Sequence, residues 1–270
     1  MILIDGLAES AIPADDRGFA YGDGVFRTLA MRKGRPGFWT RHYARLADDC
    51  RALAIAPPSA EVLLADLRIV AARLPESAIR ITVTRGSGGR GYAAEPTLQP
   101  RRVVAAGPLP DYPDHYQTHG VRVRYCDLRL AAQPRLAGVK HLNRLENVLA
   151  RAEWHDPAIA EGLLLDAENH VIEGTRSNLF IVEGNTLITP DLSRCGVAGV
   201  TRDLVMEAAQ RHGMSCQVQT VDRQRLESAD EVFLVNSLIG VWPVAAAGSR
   251  KWSRHTVTPL VGKWLDAAGR

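Results

Sequence analysis

Lys140-His141-Leu142-Asn143-Arg144-Leu145-Glu146 is the stretch from which the rest of the chain can be read. Its first residue is one of four lysines in a sequence whose lysines and arginines together number 33. Arginine stays charged at any physiological pH, whereas a desolvated lysine can lose its proton, attack an aldehyde and form a Schiff base. Lys33 lies in the turn-like Arg32-Lys33-Gly34-Arg35, Lys251 ends the turn Gly248-Ser249-Arg250-Lys251, and Lys263 belongs to an amphipathic C-terminal segment. Lys140 alone lacks so ordinary a context, although a solvated lysine near a helix start would look much the same.

Working outward, the chain of 270 residues has room for two domains of ordinary size. Its 46% apolar and 23% charged content is that of a globular protein, and a net charge of +3 is too small to signal a nucleic-acid-binding field. No apolar run approaches the roughly 20 residues that span a bilayer. The start, Met1-Ile2-Leu3-Ile4-Asp5-Gly6, lacks the basic and long apolar stretches of a signal peptide, so the expected location is the cytoplasm. Cys50, Cys126, Cys195 and Cys216 are far apart and form no zinc-ligand pattern, so no metal is expected.

Residues 1–110 read as a small α/β domain. Met1 to Ile4 is a short strand. Tyr43, Leu46, Cys50 and Leu53 mark a helix over Trp39 to Leu53, and a second helix runs from Ser59, its N-cap, to Leu74. Ala78 to Thr84 alternates as a strand. Residues 111–120, in a segment interrupted by prolines, read as a linker. Beyond it, residues 121–270 form a larger, strand-rich domain. Strands are expected at Val121 to Tyr125, Gly162 to Asp166, Val171-Ile172, Leu179 to Val182, Thr186 to Thr189, Cys216 to Val221 and Glu231 to Val235. Helices are expected at Asn143 to Trp154 and Thr201 to His212.

Three further segments carry chemistry. Arg85-Gly86-Ser87-Gly88-Gly89-Arg90-Gly91-Tyr92 is a glycine-rich loop whose two arginines can fork onto carboxylates or phosphate, or else a plain mobile hairpin loop. Glu173-Gly174-Thr175-Arg176-Ser177-Asn178 sets a carboxylate at a turn, where it could pair with a protonated pyridine nitrogen. Gly199-Val200-Thr201 opens a helix and offers backbone NH groups and a hydroxyl to an anion, or simply caps that helix.

Taken in order, Tyr21-Gly22-Asp23-Gly24-Val25-Phe26, His42 with Arg45-Leu46, Lys140, Glu173 to Asn178, Gly199-Val200-Thr201 and Asn236-Ser237 resemble the signature of fold-type IV pyridoxal-phosphate enzymes. This family includes branched-chain aminotransferases, D-amino acid aminotransferases and aminodeoxychorismate lyases. The resemblance implies an α/β fold of two domains, the second a pseudo-barrel, with pyridoxal 5'-phosphate as cofactor and a homodimer as the assembly. It implies Lys140, Glu173 and Thr28 as catalytic residues. Arg45, Asn178, Val200, Thr201 and Ser237 would hold the cofactor with Lys140 and Glu173, and Arg85, Arg90 and Asn236 would meet the substrate. The glycine-rich loop and the segment Leu136 to Glu146 look like the lyase branch, whose small-molecule substrate is 4-amino-4-deoxychorismate. Arg27 stands where the aminotransferases usually carry a glutamate. The Glu173 to Asn178 segment is instead close to the aminotransferase form, which keeps that activity as the alternative. A third reading, a protein holding nucleic acid with the Gly/Arg loop, is opposed by the charge balance and by the lack of interleaved aromatics. No nucleic-acid or membrane partner is expected.

Overall fold

A computed structural model describes residues 1–9, 11–95 and 97–269. The chain divides into two compact units, one of residues 1–110 with 139–143, the other of 111–138 with 144–270. The sequence boundaries differ from this in two places. The proline-containing stretch read as a linker belongs to the second unit, where Tyr112 and Tyr116 pack edge-on against Trp242. Five residues around Lys140 belong to the first.

The first unit runs β1 (Ile2–Ile4), α1 (Arg17–Tyr21), β2 (Gly24–Arg32), β3 (Arg35–Pro36), α2 (Trp39–Ala52), α3 (Ala60–Arg73), β4 (Ser77–Thr84) and β5 (Arg101–Gly107). Its strands form an antiparallel sheet in the order β1-β5-β4-β2-β3. Alternation sets the two faces. Ile79, Ile81 and Val83 of β4 and Val25, Leu29 and Met31 of β2 join one buried cluster with Leu46 and Cys50 of α2 and Leu63, Leu67 and Val70 of α3. Each such side chain removed from water contributes about 1.5–3 kcal/mol, which holds both helices to this face. Phe26, Thr28 and Ala30, with Ala78, Arg80 and Thr82, occupy the opposite one. Ser59 caps α3 as expected, its hydroxyl accepting the Val62 N–H.

The second unit contains α4 (His115–Thr118), β6 (Val121–Leu130), α5 (Leu145–Arg151), β7 (Ile159–Asp166), β8 (Val171–Gly174), β9 (Asn178–Glu183), β10 (Thr186–Pro190), α6 (Val200–Arg211), β11 (Ser215–Gln219), α7 (Arg223–Ser228), β12 (Glu231–Asn236), β13 (Gly240–Ala247), β14 (Arg250–Lys251) and α8 (Val257–Ala267). A mixed sheet runs β11-β10-β9-β12-β13-β6-β7-β8, with β14 beside β13. β9 and β12 are buried almost throughout, which explains their continuous apolar runs. α6 makes the crossover between the parallel strands β10 and β11. Three long strands, β2, β5 and β13, were not expected from the sequence. In β13, Pro243 and a run of three alanines mask the strand signature, yet Pro243 lies opposite Phe233 in the ladder. Among the described residues no helix is long and apolar enough to cross a membrane.

Candidate active site

In the first unit, Lys140 lies against the start of β2. The Phe26 N–H donates to the Lys140 carbonyl at 2.9 Å, the Leu142 N–H donates to the Gly24 carbonyl at 2.9 Å, and Val25 and His141 bridge as a short antiparallel pair. This brings the Lys140 amine to 4.8 Å from the centre of the Phe26 ring. Arg80 covers the same ring at 3.7 Å. Thr28, opposite Arg80 in the β2–β4 ladder, shares that sheet face.

Beneath the sheet, Arg27 reaches Asp49 of α2, with Nε 2.7 Å and Nη2 2.5 Å from Asp49 Oδ2, and both side chains are buried. Burial pushes the Asp49 carboxyl above its ordinary pKa, while the Arg27 and Arg45 guanidiniums pull in the other direction. Arg45 is half-buried one turn earlier on α2. His42, a turn before Arg45, is buried, and its pKa is lowered to about 3 by burial first and by Arg27 second. It is therefore neutral at physiological pH.

The glycine-rich loop is tethered rather than loose. Asp23 takes Arg85 on both oxygens, at 2.7 and 3.1 Å, and Arg17 at 2.9 Å. Burial alone would raise the Asp23 carboxyl, but the two guanidiniums hold it below its ordinary range. Arg85 also donates to the Leu53 and Ala54 carbonyls. Arg17 reaches the Gly91 and Tyr92 carbonyls, and the Gly91 N–H donates to the Tyr21 hydroxyl. Arg85, expected to meet substrate, thus has its donors committed to anchoring the loop. Arg90 is exposed and makes no ion pair or side-chain hydrogen bond with the described residues.

In the second unit, Glu173 at the end of β8 is buried, and its Oε2 accepts the Val197 N–H at 2.8 Å. Asn178, at the start of β9, clasps the same loop from the other side. Its Nδ2 donates to the Val197 carbonyl at 2.8 Å and its Oδ1 accepts the Gly199 N–H at 3.0 Å. Gly199 is the N-cap of α6 and has no side chain with which to close the first turn. A Cβ there would meet Asn178 Oδ1 at 2.3 Å, so the close approach requires glycine. Val200 and Thr201 follow in the first turn, both buried, and Arg202 fixes α6 to β10 through the Thr189 hydroxyl and the Pro190 carbonyl. A buried carboxylate and a helix start without a side-chain cap, held by one loop, are donor and acceptor types that fit a pyridoxal ring nitrogen and a phosphate ester. Asn236, expected to meet substrate, instead closes its own turn. Its Oδ1 accepts the Leu238 and Ile239 N–H groups, and its Nδ2 donates to the Arg176 carbonyl. Ser237 is half-buried in that turn.

Sequence reasoning missed two carboxylates. Asp49 carries no signal, since beside Asp48 and four residues after Arg45 it reads as part of a solvated helix face. Glu161 could have been noticed as a lone acid in the apolar run of β7. Buried there, it accepts the Thr175 N–H and hydroxyl and the Ser177 hydroxyl, and so shapes the turn between Glu173 and Asn178.

Comparison with known proteins gives a consistent result. Residues 24–247 match the family model described as amino-transferase class IV. The chain is 40% identical over 246 residues to an aminodeoxychorismate lyase of Vibrio harveyi, covering 91% of this chain and 90% of that one. It is 31% identical over 260 residues to a putative branched-chain-amino-acid aminotransferase of Methanocaldococcus jannaschii, covering 94% and 89%. The crystal structure of a 4-amino-4-deoxychorismate lyase from Pseudomonas aeruginosa matches with a TM-score of 0.95 and 46% identity, over 99% of this chain and 98% of that one.

Proposed function

This chain belongs to the class IV aminotransferase family, and we propose that within it the protein is the pyridoxal-phosphate-dependent lyase that converts 4-amino-4-deoxychorismate into 4-aminobenzoate and pyruvate. The observation that carries this reading is the end-to-end likeness to the Pseudomonas lyase, at 46% identity. The alternative is an aminotransferase, favoured by the form of the Glu173 to Asn178 segment and by the archaeal relative.

When bound, pyridoxal phosphate supplies an aldehyde for amines and a protonated ring that accepts electrons. Lys140 would hold the cofactor covalently, release it to the substrate amine, and then, as a free amine, take the proton from the amine-bearing carbon. Glu173 would keep the ring nitrogen protonated, its own position set by the Val197 N–H. The first-turn NH groups and hydroxyl at Val200 and Thr201, with Arg45 and Ser237, would hold the phosphate. Asn178 would act one step removed, by fixing the loop from Val197 to Gly199. As the proton leaves, the bond to the enolpyruvyl oxygen breaks and the ring becomes aromatic, which supplies the driving force. Thr28 would deliver the proton that completes pyruvate. Arg90 would meet a substrate carboxylate, with Arg85 holding its loop in place. By family likeness the enzyme would work as a homodimer in the cytoplasm.

The test is to incubate purified protein with aminodeoxychorismate and assay pyruvate, beside a control with amino acids and 2-oxoglutarate. Pyruvate release should be the faster reaction. Faster amino transfer would replace the lyase reading with the aminotransferase one.

A further inference from the structure

We infer that Arg17 is a positioning residue for Arg90: it fixes the glycine-rich loop immediately beyond Arg90 and so sets where that side chain meets substrate. The inference rests on the reading of Arg90 as a contact for a substrate carboxylate. Arg17 holds the loop at both ends. Its main-chain N–H donates to the Gly86 carbonyl at 2.9 Å, while its Nη1 and Nη2 donate to the Gly91 and Tyr92 carbonyls at 2.9 and 3.0 Å. Its Nε donates to Asp23 at 2.9 Å. The same short segment makes two more bonds that bracket Arg90. The Gly88 N–H donates to the Asp15 carbonyl at 3.4 Å, and the Gly91 N–H donates to the Tyr21 hydroxyl at 3.0 Å.

Packing does not hold the residues on either side of Arg90. A Cβ built on Gly89 or Gly91 would find nothing within 4 Å. Tyr92 is 89% exposed, and its ring contact is with Tyr21 of α1 itself. Glycines also give up more freedom on ordering than other residues, so such a loop stays in one place only where polar bonds hold it. Arg17, by contrast, is 3% exposed, and a guanidinium is costly to bury unless its donors are satisfied. Asp23 and the loop carbonyls satisfy them. A planar fork reaches two successive carbonyls and a carboxylate at once, which the point charge of a lysine does not. α1, with five residues, is too short to be stable alone. Asp16 at its N-cap fastens it to the sheet by accepting the Gly18 N–H, the Thr84 hydroxyl of β4 and the Arg101 guanidinium of β5. The sheet thus fixes α1, and α1 fixes the loop.

Variants of the full-length, cofactor-loaded protein test this with two readouts. The first is a double-mutant cycle of Arg17→Ala and Arg90→Ala in steady-state kinetics with aminodeoxychorismate. Arg90→Ala should raise KM on the order of ten- to a hundredfold, the ratio carried by one hydrogen bond to a charged group. Arg17→Ala should raise KM by up to that ratio with kcat little changed, and should raise it no further once Arg90 is gone. Arg17→Lys, which keeps the charge beside Asp23 but not the fork, should recover little of the loss. The second readout is trypsin cleavage of the Arg90–Gly91 bond, which needs no substrate and should be on the order of tenfold faster in Arg17→Ala than in the wild type. Tyr21→Phe removes only the hydroxyl that holds the Gly91 N–H, and should give the same pattern at smaller size even where Arg17→Ala fails to fold. An equal KM rise from Arg17→Ala with and without Arg90 would overturn the inference, because a merely structural role would act in both backgrounds. Cleavage after Arg90 as slow as in the wild type would overturn it as well. A wild-type KM in Arg90→Ala would instead remove the reading of Arg90 on which the inference rests, whatever the trypsin result.

Discussion

Replacing Gly199 by alanine isolates the loop proposed to present the cofactor phosphate with its NH groups. The backbone at Gly199 has φ −81°, so alanine meets no conformational penalty. What it meets is Asn178 Oδ1, at 2.3 Å against the 3.4 Å or more of an ordinary Cβ contact. Asn178 is buried and cannot swing aside without breaking its bonds to the Val197 carbonyl and the Gly199 N–H. If it moves, two hydrogen bonds at about 0.5–1.5 kcal/mol each are lost, so stability should fall by about 1–3 kcal/mol. If the loop moves instead, by about 1 Å in a close-packed setting, the start of α6 turns away from the phosphate. Pyridoxal phosphate should then bind roughly ten- to a hundredfold more weakly, the equivalent of one charge-assisted bond. Urea unfolding and spectrophotometric titration of the cofactor-free protein measure the two effects. Gly262→Ala in α8 is the control, since its Cβ would find nothing within 4 Å and should stabilise the helix by about 0.5–1 kcal/mol. A Gly199→Ala protein with wild-type stability and wild-type cofactor affinity would refute the proposed role of the loop.

The two arginines of the glycine-rich loop should separate cleanly. Arg90→Ala should raise KM for aminodeoxychorismate with little change in melting temperature, whereas Arg85→Ala should open the loop to limited proteolysis, because Asp23, Leu53 and Ala54 lose their shared donor; the reverse pattern would exchange their roles. Acid should weaken the fold through His42. Its folded pKa of about 3 lies below the unfolded 6.5, so the unfolded chain takes up a proton first and the stability present above pH 6.5 drains as pH falls toward 3, by at most about 1.4 kcal/mol per unit. His255, also lowered by burial, adds to this loss. His42→Gln should flatten the urea-midpoint profile between pH 6 and 4, and an unaltered profile would mean that His42 is not the group responsible.

What the sequence made legible, and what it did not, follows from the range of the interactions. α2, α3 and α6 were readable because a helical stripe and a Ser59 cap are local. The buried strands β9 and β12 were readable from their continuous apolar runs. β2 was hidden because its outer face carries Phe26, Thr28 and Ala30 and its inner face includes Arg27, which spoils a simple alternation. Its partner residue, Asp49, lies 22 positions away. The motif order singled out Lys140, Glu173, Asn178 and Thr201 as candidates, whereas the bonds that Arg85 and Asn236 make depend on which acceptors surround them, and no local pattern encodes that. Only the fold brings Asp23 to Arg85 and Arg176 to Asn236.

Borohydride reduction of the purified, cofactor-loaded protein, followed by peptide mapping, tests the central claim most directly. Reduction fixes pyridoxal phosphate irreversibly to whichever amine holds it. With four lysines in the chain, the account expects the phosphopyridoxyl group on Lys140, with Lys33, Lys251 and Lys263 unmodified. A label on one of those three, or cofactor that washes away after reduction, would contradict it.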